Sequence, residues 1–156
     1  MKKEGFSLIE LMVVIAIISL LAMVAVPTFS RLIAKAKRTE AYMNLKSLYA
    51  AQKAYHAEYG KYSATLYGKD GVGWKPEGYH GGGEQENFVY TYGFSGSEGI
   101  NFFTGKLKTD SSYLQNAKIN DGGFMAIAAA DIDNDGEVDI ISINQDGVIT
   151  IIQDDL

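Results

Sequence analysis

From Phe6 to Val26 the chain runs for 21 residues with only Ser7, Glu10 and Ser19 polar. As an α-helix rising about 1.5 Å per residue, such a run is roughly 30 Å long and matches the hydrocarbon core of a bilayer. The exception is Glu10, a carboxylate one turn into a membrane-length helix. A charge there is expensive and marks a function with a specific partner.

The residues around this run carry a pattern. A short basic leader, Met1-Lys2-Lys3-Glu4-Gly5, is followed by Phe6, by Glu10 four residues later, and by an unbroken apolar stretch with Pro27 near its far end. This resembles the N-terminus of type IV pilins and of their relatives the pseudopilins. The resemblance implies that a prepilin peptidase cuts between Gly5 and Phe6, and that Phe6 becomes the N-methylated terminus. It also implies that Glu10 pairs with the Phe6 amine of the same or a neighbouring subunit. An ordinary secretory signal would have a shorter apolar core and a small-residue cleavage site after it. Ala22 and Ala25 imitate that loosely but leave Glu10 without a purpose.

Lys2 and Lys3 precede the apolar segment, whereas Arg31, Lys35, Lys37 and Arg38 follow it and outnumber them. Charge counting alone would set the orientation the other way round. The resemblance places the leader in the cytoplasm and the rest outside. The chain's net charge is −5, and loss of a leader carrying +1 leaves about −6. That balance argues against nucleic acid as the main partner, because phosphate binding needs a basic surface. Cysteine is absent, so the C-terminal disulfide of many pilins has no counterpart here.

Beyond Pro27 the helical pattern resumes. Ile33, Tyr42, Leu45, Leu48, Tyr49, Gln52, Tyr55 and Tyr59 recur mostly at three- and four-residue spacings, and Gly60 is a stop signal. One long helix over 6–59 is predicted. Pro27 is expected to kink or open it, dividing an anchor (6–30) from the half that belongs to a head (31–156). Arg31, Lys35 and Arg38 share a face of it, either solvated or touching acidic neighbours or lipid headgroups.

Residues 60–87 form a glycine-rich loop with interspersed aromatics, a length that is usually functional or mobile. Strand-like runs follow at 88–94, 100–104, 124–129, 138–143 and 148–152, with a short helical stretch near 111–116. The last two runs flank Asp146-Gly147 as a hairpin. The expected architecture is α+β: a long bent N-terminal helix packed on a C-terminal antiparallel sheet spanning 88–152.

Asp131, Asp133, Asp135, Glu137 and Asp139 place five carboxylates within nine residues. Aspartates at loop positions 1, 3, 5 and 9 with Gly136 at position 6 follow the oxygen-ligand spacing of a calcium loop, Glu137 supplying a backbone carbonyl. The position-12 glutamate is missing, so one ligand must come from elsewhere. The alternative is a solvated acidic turn. Bound calcium would replace the missing disulfide as a C-terminal staple.

His80-Gly81-Gly82-Gly83 and Gly93-Phe94-Ser95-Gly96-Ser97 are similar to hydrolase motifs but fail in detail. Ser97 stands where the nucleophile elbow needs Gly, and both histidines precede the serine. The chain is therefore read as no enzyme. The resemblance implies the structural subunit of a type IV pilus serving adhesion, twitching motility or DNA uptake. Such a subunit waits in the inner membrane, is handled by the prepilin peptidase and inner-membrane assembly machinery, and polymerises with its own copies into a surface filament. The alternatives are a major pseudopilin of a type II secretion system and a membrane-anchored calcium module.

Overall fold

A computed structural model describes residues 5–83 and 85–156. The expected leader falls almost wholly outside them, with only Gly5 described. One helix, α1 (Leu8–Tyr59), runs 52 residues from a Ser7 N-cap to Gly60, whose φ of 70° ends it in the left-handed region. It continues through Pro27 without interruption, so the expected opening at that residue does not occur. Pro27 withholds the amide that the Met23 carbonyl would accept, yet the flanking hydroxyls knit this part of the helix. Thr28 Oγ1 donates to the Val24 carbonyl at 3.0 Å and Ser30 Oγ to Val26 at 3.2 Å. The boundary between anchor and head lies further on. Every described residue up to Ile33 is exposed, and burial begins at Ala34.

From there one stripe is buried: Ala34, Arg38, Ala41, Leu45, Leu48 and Gln52, at alternating four- and three-residue steps. The aromatics of the predicted stripe flank it. Tyr42 and Tyr49 are half-buried against the core, while Ile33 and Tyr59 face out.

The stripe rests on a sheet of β1 (Thr91–Gly93), β2 (Phe102–Phe103), β3 (Lys118–Asn120), β4 (Gly123–Ala130), β5 (Asp139–Asn144) and β6 (Ile149–Gln153). All strand pairs are antiparallel, in the order β2-β1-β4-β5-β6, with β3 joined to the near end of β4. The central strand β4 is covered on both faces. Ala126, Ala128 and Ala130 face the helix-side core, and their small side chains let α1 approach closely. Ile127 and Ala129 point into a second cluster with Phe102, Leu114 and Val138. A 3₁₀ turn at Ser111–Leu114 supplies Leu114. This is the predicted α+β architecture.

Two expectations are corrected. Phe88–Tyr90, predicted as strand, is buried but outside the ladder. The Val89 amide donates to Glu40 Oε1 on the helix at 2.8 Å, and the Phe88 carbonyl accepts from Lys106 N at 2.8 Å. The glycine-rich segment 60–87 is irregular but packed down. Tyr62, Leu66 and Trp74 enter the core, Gln52 exchanges two hydrogen bonds with Ser63, and Trp74 Nε1 donates to Ser47 Oγ at 2.8 Å. Aromatic burial within the segment outweighs the freedom of its glycines.

Helix, sheet and chain end meet at one buried charge. Arg38 Nη2 lies 2.5 Å from Asp139 Oδ1 and 2.5 Å from Asp154 Oδ1, and Nε donates to Asp139 Oδ2 at 3.1 Å. Tyr90 Oη donates to Asp139 Oδ2 at 2.7 Å. Burial opposes the Arg38 charge, but the hydrogen bonds and charges of Asp139 and Asp154 more than offset it and hold its pKa above the ordinary value. Burial and then the Asp139 carboxylate push the Tyr90 phenol up, keeping it a donor. Truncating Arg38 strands Asp139, whose side chain is fully buried. Arg38→Ala should therefore lower stability by about 3–5 kcal/mol, measured by unfolding the full chain in detergent micelles. A loss under about 1 kcal/mol, the range of an exposed pair, would contradict this role.

Candidate assembly motif and metal loop

The helix opens with a capping box. Glu10 N donates to Ser7 Oγ at 3.3 Å, and Ser7 N donates to Glu10 Oε2 at 2.8 Å. Each side chain satisfies an amide that the first helical turn leaves without an internal partner. The signature Ser7-Leu8-Ile9-Glu10 is legible in the sequence, although the leader-and-glutamate pattern alone did not disclose it. Phe6 is 80 % exposed, and a side chain built at Gly5 would meet nothing within 4 Å, so the Gly5–Phe6 bond is open to a protease. The amide that Glu10 accepts belongs to the residue after Phe6. A carboxylate placed there lies within a residue of the amine that cleavage would create. Pro27 lies 17 residues further along the exposed part of the same helix.

The acidic loop joins β4 to β5. Carboxylate oxygens of Asp131, Asp133, Asp135 and Asp155 all lie within 4.8 Å of one another. Asp131 anchors the turn by accepting from Asn134 N at 2.6 Å and Gly136 N at 3.1 Å, and Asp135 accepts from Glu137 N at 2.8 Å. Asn134 and Gly136 take φ of 68° and 96°, which lets the loop curl tightly around its aspartates.

Two of the sequence-predicted ligands stand elsewhere. Asp139 is not in the cluster, because it opens β5 with its side chain turned to Arg38 and Tyr90 in the core. The Glu137 side chain is exposed and also outside it. Asp155 takes the open place. It is buried, and its Oδ2 accepts from Ile132 N at 3.0 Å. It follows the loop by some 20 residues, so no local spacing could have pointed to it. Burial pushes the Asp155 carboxyl up, and the charges of Asp133, Asp135 and Asp131 push it the same way against the lowering effect of the Ile132 amide. A set of carboxylate oxygens this close suits a hard divalent cation of the calcium type. Lys37 Nζ donates to the Ile132 carbonyl, which ties the loop to α1.

Known proteins share the first of these two features. The family profile described as the prokaryotic N-terminal methylation motif matches residues 1–26. The type IV major pilin protein PilA of Myxococcus xanthus (strain DK1622) is 45 % identical over 76 residues, which is 49 % of this chain and 33 % of PilA. The type IV major pilin protein PilE1 of Neisseria gonorrhoeae is 40 % identical over 60 residues, covering 38 % of this chain and 36 % of PilE1.

The chain carries the N-terminal methylation motif and is similar to type IV major pilins over part of its length.

The fimbrial protein EcpC of Eikenella corrodens adds 37 % identity over 62 residues, 40 % of each chain. The matches span only about a third of the length of the pilins they reach. These relatives carry the names of pilins and fimbrial proteins, and none of those names is an enzyme's. The methylation motif at residues 1–26 covers Gly5, Phe6 and Glu10, whereas the acidic loop lies beyond it.

Proposed function

We propose that this chain is the structural subunit of a type IV pilus, polymerised through its N-terminal helix. The carrying observation is the length of helix that the fold leaves uncovered. Leu8 to Ile33 has no buried residue, and 26 residues at about 1.5 Å make roughly 39 Å against a hydrocarbon core of about 30 Å. A single-pass anchor would end with the bilayer. Here Phe29, Leu32 and Ile33, exposed at 64 %, 58 % and 43 %, lie past the membrane-length run and beneath the head. Copies packed side by side would cover them.

On this reading the prepilin peptidase cuts between Gly5 and Phe6 and the new Phe6 amine is methylated. The subunit waits in the inner membrane until the assembly machinery moves it into a filament on the cell surface. Transfer from lipid to a helical bundle brings little hydrophobic gain, because both surroundings are apolar. Register therefore rests on packing and on Glu10, whose carboxylate stays stable among apolar helices only while paired. The Phe6 amine of its own or a neighbouring copy is that partner.

Calcium is the proposed ligand of the acidic loop, held by Asp131, Asp133, Asp135 and Asp155. With Asp155 as a ligand the ion would staple the last residues of the chain to the β4–β5 loop, the task that other pilins give to a disulfide.

Two outcomes check these readings. Glu10→Val should lower filament yield at least tenfold by electron microscopy while cleavage of the leader proceeds, and normal filaments in that variant would refute the pairing. Calcium at a hundred times its Kd should stabilise the full chain in detergent by about 2.7 kcal/mol over chelator, a rise of roughly 5–10 °C in Tm. Asp133→Asn and Asp155→Asn should abolish that rise and Glu137→Gln should keep it. Identical melting with calcium and chelator would remove the metal.

A further inference from the structure

A cleft of about 580 Å³ lies between α1 and the segment 74–87, within the range of roughly 300–1,000 Å³ usual for small-molecule sites. It touches neither the Gly5–Glu10 motif nor the acidic loop. Glu40, Met43 and Ser47 form its helical wall, and Trp74, Glu77 and Asn87 form the other.

The walls are fixed by bonds of their own. Asn44, 5 % exposed, ties them together. Its Nδ2 donates to Tyr92 Oη at 3.2 Å, and its Oδ1 accepts from Glu77 N at 3.1 Å. Ser47 Oγ accepts from Trp74 Nε1 and donates to the Asn44 carbonyl, both at 2.8 Å. Asn87 N donates to the Gly78 carbonyl at 3.2 Å and closes the segment on itself.

The charge left over in the cleft is negative. Glu40 Oε1 accepts from Val89 N at 2.8 Å and from Tyr92 Oη at 3.2 Å, which occupies both of its lone pairs. Burial and then the Glu40 charge push the Tyr92 phenol up, so it stays a donor. Glu40 Oε2 keeps its lone pairs free, and among the described residues neither Glu40 nor Glu77 forms an ion pair. Lys75 is the one cation on the lining. Its ammonium stands 5.8 Å from the ring centres of both Tyr67 and Tyr79, and neither ring lines the cleft.

We propose that this cleft binds the guanidinium of an arginine, with the apolar stem along Met43 and the donors shared between Glu40 and Glu77. Two carboxylates without cations disfavour an anion. A stacked sugar needs an open aromatic face, and Trp74 is 5 % exposed. Met43, exposed at 64 %, offers apolar surface beside the acidic groups, which suits a cation on a hydrocarbon stem. The acceptors stand on opposite walls. A guanidinium presents donors along several edges of one plane and reaches both, whereas an ammonium is a compact point charge. The site is independent of the pilus reading.

Trp74 is the only tryptophan of the chain, so its emission reports on the cleft in the full chain in detergent micelles. Arginine amide should shift that emission saturably. Citrulline amide, its neutral isostere, should bind roughly ten- to a hundredfold more weakly, the worth of a hydrogen bond to a charged group. Glu40→Gln keeps an oxygen for the Val89 amide and the Tyr92 hydroxyl, so the fold stands while the charge is lost. It and Glu77→Gln should each weaken arginine amide about tenfold or more, and Glu137→Gln should change nothing. Glu77 is exposed, so its variant decides even if Glu40→Gln unfolds. Calorimetry of the same titration covers a silent tryptophan. No binding by either readout, equal affinity for citrulline amide, or unaltered affinity in both variants overturns the site. Glycyl-arginyl-glycine amide bound several-fold tighter than arginine amide would assign the guanidinium to a protein partner, and equal or weaker binding to the free amino acid. Failure of the site leaves the pilus reading standing, because no step of the test needs a filament.

Discussion

The head is organised around one buried ion pair, Arg38 with Asp139. Arg38 occupies a core position of α1, Asp139 opens the second-longest strand, and Tyr90 and Asp154 complete the set from the core and the chain end. Desolvating two charges is costly, and an apolar pair of the same shape would often serve stability as well. What the ionic version adds is direction. A guanidinium with its donors fixed in a plane accepts only one arrangement of its carboxylates. It fixes the rotation of the helix over the sheet and, through Asp154, the course of the final residues. Asp155, next in the chain, reaches the acidic loop and accepts from the Ile132 amide.

That rotation settles what the outside of the molecule offers. The head ends above Arg31, which shares a face of the helix with Arg38 and is exposed because nothing of the fold reaches it. It also leaves the apolar residues from Leu8 to Ile33 without any cover from their own chain. The head thus leaves most of the helix uncovered by its own chain. Alanines on β4 and α1 serve the same end, since a close approach of helix and sheet leaves a narrow head above a thin stalk.

Much of this was legible in the residues. The apolar run, the carboxylate inside it, the long helix, its Gly60 end and the β5–β6 hairpin all follow from local chemistry, and local chemistry survives folding. Of the 118–130 hairpin only the second strand stands out in the sequence, although Asp121-Gly122 is a turn signature between the two. Arg38 reads as a surface residue when charge is weighed above position. Ala34, Arg38, Ala41, Leu45, Leu48 and Gln52 keep an unbroken rhythm, and the rhythm was the better guide. The acidic loop is a different case. Alternating aspartates look equivalent in sequence, but a strand begins at Asp139, and a strand's first residue answers to the core. The carboxylate that takes its place in the cluster arrives from the chain end, and sequence spacing carries no information about a contact of that kind.

Glu10 illustrates how one residue could serve two partners. In the single subunit its carboxylate is satisfied by the Ser7 amide, and the first helical turn is closed without help. An ammonium offers a charge-assisted bond about twice as strong as a neutral one, and the advantage grows where water is excluded. The cap therefore holds the carboxylate in place, and holds it without outcompeting a cation. On the proposed reading, the amide would keep Glu10 from standing unpaired in lipid, and between helices an ammonium would be the stronger partner. A carboxylate with no cap would be too costly to wait in the membrane, and one paired too well would have no reason to leave.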